Sequence, residues 1–444
     1  MTARLANYIY ADEAQCVETL LGDLPWDDSC RDRVNVQARD LVERVRTAKR
    51  KTGELESFLQ QYGLDSEEGL ALMTLAEALL RIPDAHTANL LIRDKIAAAD
   101  WLSKQGDSKD LLVKAAGFGL SLTRKALDSA ASRLGEPVIR QAIVQAMRMM
   151  GKQFVLGRTI EEGVKNAAAY HKKGYRLSYD MLGEGARTQK DAQHFFETYR
   201  DAITYIGQHD TPAGLSVKRS APYPRYQELC QCAADHNVAL TVDAEEVDRL
   251  ELSLQIIGAV ANDNALKGWD GFGLAVQAYQ KRCFYLIDYL AALAEDSKRK
   301  LQVRLVKGAY WDTEIKRAQV LGLDEYPVFT RKANTDLSYI ACARKLLDRR
   351  DVFYPMLATH NAHSVAAVRE LAGNDFESFE FQRLHGMGET LYDLVLGDKG
   401  ANARANVCVY APCGSHEELL PYLVRRLLEN GANSSFVNQL LDVQ

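Results

Sequence analysis

From Tyr175 onward the chain alternates short β-branched or apolar runs with helical stretches, and no other feature narrows its fold as far. Eight runs stand out, at residues 176–181, 215–220, 239–243, 273–278, 303–307, 353–358, 379–384 and 407–410. Parallel strands cannot be joined by tight hairpins, so a helix must carry the chain back each time. Eight such units predict a (β/α)8 barrel. In that architecture the working residues gather at the carboxyl ends of the strands. Those ends carry Asp180 and Glu184, Lys218, Asp243 and Glu245, Gln277, Arg304 and Lys307, Thr359-His360-Asn361, Leu384-His385, and Tyr410. A polar or charged group at nearly every strand end predicts an enzyme's mouth.

The first 170 residues have a different texture. Their prolines are Pro25, Pro83 and Pro137, and apolar positions recur at helical spacing. Residues 70–80 are nearly all strong helix formers. Over 137–154, Pro137 stands at a first turn, with Ile139, Ile143, Ala146 and Met150 on one stripe. Residues 1–170 are therefore expected to form an all-helical arm, and 171–444 the barrel. A length of 444 residues also allows three separate domains, but a barrel with an appendage accounts for both textures.

Composition removes several classes of function. With 47% hydrophobic and 26% charged residues the chain can bury a sizeable core. Lys and Arg number 55 against 60 Asp and Glu, a net charge of −5. A dedicated nucleic-acid binder needs clustered excess cations, so no nucleic-acid partner is expected. No basic-then-apolar leader opens the sequence, and no apolar run approaches the ~18 residues of a membrane span. The eight cysteines are scattered, with only Cys230-Gln-Cys232 close together, which suits a reduced cytosolic setting. No G-x-G-x-x-G follows a strand, and Walker A, G-x-S-x-G and paired CxxC motifs are absent.

Three constellations remain. Ser415 and Glu418 form a capping box and Gly431 a stop, bounding a helix with an apolar stripe from Leu419 to Leu428. Tyr422, Arg425, Arg426 and Glu429 share another face of it. Two adjacent guanidiniums there can fork around one carboxylate, or lie on a solvated face with a rim ion pair to Glu429. Arg304 projects into the barrel, where a permanent cation needs an anionic or electron-rich partner. A flavin under reduction is one such partner; a barrel carboxylate such as Asp243 is another. Thr359, His360 and Asn361 are donors suited to a pyrophosphate, with Lys332 in a related pattern. The alternative for His360, His363, His385, Asp243 and Lys307 is a divalent metal at the strand ends. Against it, H-x-x-H straddles a strand end, so both imidazoles face inward only if the backbone turns between them.

The motifs VKGAYWDTEIKRAQ (306–319), ATHNAHSVAAV (358–368), FEFQRLHGMGE (379–389), DAEEVDRLELSL (243–254) and VYAPCGSHEELLPYLVRRLLENGANSSFVN (409–438) closely resemble the proline dehydrogenase domain of bacterial proline utilization A. Residues 98–127 and 147–167 extend the resemblance through the helical arm. It implies FAD-dependent oxidation of L-proline to Δ1-pyrroline-5-carboxylate on a distorted (β/α)8 barrel, with electrons passed to a membrane quinone. By the same resemblance Arg425 and Arg426 clamp the proline carboxylate with Lys218 as a third cation, and Glu429, Tyr422, Tyr410 and Leu384 complete the pocket. Asp243 and Arg304 are then the polar groups closest to the chemistry, Arg304 near the flavin N5. Gln277, Val306, Gly308, Trp311, Thr330, Lys332, Thr359, His360 and Asn361 hold the flavin nucleotide.

The resemblance further implies a cytoplasmic enzyme, peripheral at the inner membrane for a quinone acceptor. It implies one half of a bifunctional protein whose aldehyde dehydrogenase half lies beyond Gln444. The basic ribbon-helix-helix segment of some relatives is missing from the start, so DNA binding is not expected. The sequence departs from the family after Lys218, where it reads Arg219-Ser220-Ala221-Pro222. The crossover helix over 224–236 is also shorter than the family's, which bears on the placement of Lys218. Two rival functions are a metal-dependent barrel hydrolase using His360, His385 and Asp243, and a barrel that senses proline without turnover.

Overall fold

Side chains alternate across a strand with a period of two, and here that alternation separates an apolar set from a polar one. The apolar set includes Leu177, Leu215, Val217, Leu240, Val242, Leu274, Val276, Val303, Leu305, Leu357, Phe381, Val407 and Val409, all buried. The polar set includes Ser178, Ser216, Thr241, Gln277, Arg304 and Gln382, which are also buried. A sheet buried on both faces with one face polar suits a closed barrel whose lumen holds hydrogen-bonding groups and whose outside packs on helices. Burying each large apolar side chain stabilises the fold by about 1.5–3 kcal/mol, so the layer between strands and helices carries most of the stability.

The molecule is a computed structural model. It describes residues 5–49, 87, 155–183, 188–210, 212–218, 223–397 and 405–414. Two compact units are present, Met1–Glu43 with Thr159–Cys413, and Arg44–Arg158 with Gly414–Gln444. The first holds a closed parallel barrel whose strands pair in chain order and return from β8 to β1. The strands are β1 Arg176–Met181, β2 Gly214–Val217, β3 Ala239–Val242, β4 Phe272–Gln277, β5 Leu301–Val306, β6 Phe353–Ala358, β7 Glu380–Leu384 and β8 Asn406–Cys413. Among the described residues the helices are α1 Glu13–Asp23, α2 Asp28–Lys49, α3 Ile160–Lys173, α4 Gln189–His209, α5 Tyr223–Asp235, α6 Leu250–Ala261, α7 Cys283–Ser297, α8 Trp311–Val320, α9 Lys332–Asp348, α10 Ala362–Ala372 and α11 Glu389–Gly397.

The eight expected strands are all present, β1 and β6 with the expected ends and the other six with shifted ones. β2 stops at Val217. β8 continues three residues past Tyr410 because it stays in register with β1 as far as Met181↔Cys413; pairing, not the proline at 412, sets that end. The helix expected over 224–236 is α5. The helices expected over 70–80 and 137–154, and the one carrying Arg425 and Arg426, lie outside the described residues. Entry and exit signals work locally. Thr159 caps α3 by accepting from the Glu162 amide, and Gly174 closes it at φ 92°. Thr188 and Asp191 form a full capping box at α4.

The leading helices pack on one side of the barrel. Val34 and Ala38 of α2 join Ile340 of α9 and Ala366 and Ala367 of α10 in one apolar cluster. Lys281, fully buried, donates to the Ala11 carbonyl at 2.7 Å and to Glu325 at 2.8 Å. Arg344 meets Asp23 at 2.8 Å, and Tyr8 stacks on Tyr285 with centroids 3.6 Å apart. No described helix is long and apolar enough to cross a membrane.

Candidate active site

Arg304, on β5, is the hub of the lumen. Its Nε donates to Gln382 at 2.7 Å, Nη1 to Ser216 and to Asp243 at 2.8 Å each, and Nη2 to Ser178 at 3.1 Å. These partners come from β7, β2, β1 and the end of β3, so one guanidinium ties four strands together. The Tyr410 ring lies 5.1 Å from its central carbon, and the Tyr410 hydroxyl donates to the second oxygen of Asp243 at 2.8 Å. A guanidinium only 3% exposed needs this many acceptors, because an unpaired buried charge is strongly destabilising. Of the two partners the sequence allows for Arg304, the geometry shows Asp243. Lys218, at the end of β2, lies 3.6 Å from Asp180 of β1, so it reaches the mouth despite the altered sequence that follows it. Leu384 and Tyr410 are register partners on β7 and β8, which sets an aliphatic and an aromatic wall side by side.

A second neighbourhood lines the ends of β4 to β7. Gly308 turns the chain after β5 at φ 139°, where a Cβ would lie 2.5 Å from the Tyr279 ring. The turn needs glycine on both counts. Ala278 donates to the carbonyl of Val306 at 2.8 Å, and Gln280 to Gln277 at 2.6 Å. The Trp311 indole is 41% exposed and donates to the Phe329 carbonyl at 2.9 Å. Just past β6 the Thr359 hydroxyl accepts from the Asn361 amide at 3.1 Å, and Asn361 caps α10 by accepting from Ser364. The backbone does turn between His360 and His363, with Asn361 as the pivot.

The chemistry of this donor set suits a flavin nucleotide. Arg304 and Lys307 would supply positive charge for a reduced ring, and amides, hydroxyls and Lys332 would hold the nucleotide. Lys307 is held by Asp336, which also accepts from Lys332 at 2.6 Å. Burial pushes the Lys307 ammonium below its usual value against the pull of Asp336. Burial alone would raise Asp336, but the two lysines hold its carboxyl below the ordinary range.

The residues of the metal reading have other partners. The Nε2 of His360 accepts the Leu384 amide at 3.1 Å. His385 turns toward α3, where its Nδ1 meets the Tyr170 hydroxyl at 3.1 Å. Burial, then the charge of Arg383, lowers the pKa of His385 to about 4. Among the described residues no group of three His, Cys, Asp or Glu is arranged to hold a metal, and all eight cysteines are free thiols.

Several members of the site escaped the sequence reading. Ser178, Ser216 and Gln382 sit two positions before Asp180, Lys218 and Leu384, so the inward period of two could have found them. Asp336 lies one helical turn from Lys332, a spacing that signals an ion pair. Tyr392, whose hydroxyl holds the Thr359 carbonyl at 2.7 Å, and Glu13 carry no local signal. Tyr422, Arg425, Arg426 and Glu429 lie outside the described residues.

The family described as "Proline dehydrogenase" matches residues 163–439. The "Proline utilization A proline dehydrogenase N-terminal domain" matches residues 3–46. The "DNA-binding domain of Proline dehydrogenase" matches residues 54–154. This last match weakens the expectation of no nucleic-acid partner, which rested on overall charge and on a missing leading segment. The chain is 47% identical to the bifunctional protein PutA of Klebsiella aerogenes and 46% identical to that of Escherichia coli, covering 97% of this chain and 36% of each relative. It thus spans about a third of the length of these curated relatives. A crystal structure of a mutant proline utilization A from Bradyrhizobium japonicum superposes with a TM-score of 0.73 at 46% identity, over 98% of this chain and 46% of that one. With a match that runs from within α3 through all eight strands and takes in more than half of the sequence, the chain belongs to the proline dehydrogenase family.

Proposed function

We propose that the chain oxidises L-proline to Δ1-pyrroline-5-carboxylate at the carboxyl-terminal mouth of the barrel, with FAD as cofactor. The observation that carries this reading is the Arg304 hub, a cation fixed by four strands beneath Tyr410 and beside Asp243. FAD, when bound, supplies the acceptor for the hydride that leaves proline C5. The residues of this chain do the rest. Arg425 and Arg426, with Lys218, bind the substrate carboxylate; planar guanidiniums match it bidentately. Tyr410 and Leu384 wall the pyrrolidine ring, and Glu429 and Tyr422 complete the pocket. Asp243 holds the Tyr410 hydroxyl and Arg304 in one orientation, so that the ring is presented at near-attack distance with its amine neutral. Gln277, Val306, Gly308, Trp311, Thr330, Lys332, Thr359, His360 and Asn361, together with Arg304, form the flavin site. No protein nucleophile is needed.

The functional division follows the two textures of the sequence, a helical arm over 1–170 and the dehydrogenase barrel over 171–444. A membrane quinone takes the electrons, the enzyme works in the cytoplasm with a peripheral contact at the inner membrane, and an aldehyde dehydrogenase half accompanies it in the full protein. Anaerobic addition of L-proline to the purified protein should bleach the flavin band near ~450 nm. A protein that binds no flavin, or whose flavin proline leaves unbleached, would overturn the reading. Arg425→Met should raise KM for proline by about 100-fold with a smaller change in kcat, because it removes a charged partner of the bound carboxylate. An unchanged KM would move Arg425 to the solvated face.

A further inference from the structure

Thr330 belongs to a segment pinned from inside the barrel wall. Phe329 donates its amide to the Tyr279 carbonyl at 2.8 Å and accepts the Trp311 indole at 2.9 Å. The outer side of the segment is held by a residue from the other end of the chain. Both carboxylate oxygens of Glu13, the first residue of α1, accept the Thr330 amide at 3.1 Å. Oε2 also accepts the Thr330 hydroxyl at 2.9 Å, and Oε1 accepts the Asn334 side-chain amide at 2.6 Å. Burial alone would raise the Glu13 carboxyl, yet these bonds and the charge of Lys281 hold it below its ordinary value, so it is ionised at neutral pH.

Both protons that Thr330 could offer are thus taken by one carboxylate. Its hydroxyl oxygen keeps only acceptor capacity, and a phosphate there would find no donor and a negative neighbour. We propose that Glu13 is a positioning residue for the flavin nucleotide: it sets the hydrogen-bond polarity of Thr330, so that this residue accepts from a hydroxyl or amine of the nucleotide. The inference rests on the FAD reading above and adds to it a role for α1. Remove the carboxylate, and the hydroxyl rotates freely and the Thr330 amide has no protein acceptor.

The test is FAD titration of the full-length apoprotein, followed by flavin fluorescence, for the wild type, Glu13→Ala, Glu13→Gln, Thr330→Val and Arg344→Met. Glu13→Ala should raise the FAD Kd on the order of tenfold, the scale of lost charge-assisted hydrogen bonds. Glu13→Gln, which still offers an oxygen to Thr330, should stay within about threefold of wild type. Thr330→Val should weaken binding, and combining it with Glu13→Ala should add little, because coupled partners are non-additive. Arg344→Met loosens α1 at Asp23 without touching Thr330, so it should lower Tm while leaving the FAD Kd unchanged. Wild-type affinity in Glu13→Ala or in Thr330→Val would overturn the proposal. So would an Arg344→Met effect as large as that of Glu13→Ala, which would make plain docking of the arm the whole cause. A wild-type protein that binds no FAD would overturn the functional reading itself, a distinct result.

Discussion

Arg304 shows how far one residue can be read before its neighbours are known. Its place on an alternating strand predicts a buried cation facing inward, and elementary electrostatics demands a counter-group. The choice between a flavin and Asp243 was open because spacing within one strand says nothing of what another strand brings opposite it. The fold brings Asp243, Gln382, Ser178 and Ser216 together around that one side chain. Arg304→Met should lower kcat/KM for proline by at least about 100-fold, by analogy with loss of a preorganised electrostatic group. Arg304→Lys should restore little of it, since an ammonium on a flexible stem cannot bond four partners in a plane. Steady-state kinetics of both variants decide the point. His385 makes a separate statement about pH. Its folded pKa of about 4 lies below the ordinary 6.5, so the unfolded chain binds more protons between those values. Stability from this group is full above pH ~6.5 and is lost as pH falls through about 4, by up to ~3 kcal/mol. His385→Gln, which can still partner Tyr170, should flatten that part of the stability profile in urea melts from pH 7 to 4; an identical slope in both proteins would refute it.

Among the elements, the strands were the most legible, because a period of two between helical stretches is written locally. Their ends were not. β8 outlasts its sequence signal because β1 lies beside it in register, and pairing belongs to two strands at once. The turn after β5 lies between these cases. Gly308 marks a break in any reading, but only the fold shows that φ 139° and the Tyr279 ring both exclude a side chain. Gly308→Ala should destabilise the protein by about 2 kcal/mol or more, combining backbone strain with a forced shift of a buried ring. Thermal melts check this, and a loss under ~0.5 kcal/mol, the usual range of an unconstrained surface substitution, would mean the turn has slack. α1 is the opposite extreme. Its helical character and its cap at Asp12 are local, whereas its ties to Thr330, Asn334 and the α9 residue Arg344 cross more than three hundred positions and leave no trace in spacing.

At the scale of the whole molecule, a ligand that binds only the folded state stabilises it by mass action. FAD should therefore raise Tm progressively with concentration, by about 2.7 kcal/mol of added stability at a hundredfold excess over Kd. Scanning calorimetry across a dilution series measures it, and a Tm indifferent to FAD would contradict the cofactor assignment. The sequence by itself determined the barrel and the helical character of the leading residues described in α1 and α2, since periodicity and residue type are properties of short segments. Its expectation of no nucleic-acid partner is weakened by a DNA-binding family match that falls on residues 54–154 alone. Only the tertiary structure decided that Arg304 gathers four strands, that His385 partners Tyr170, and that Glu13 reaches Thr330. Each of these depends on groups far apart in the chain, whose meeting is set by closure of the sheet and packing of helices around it, and no local pattern encodes a distance across a barrel.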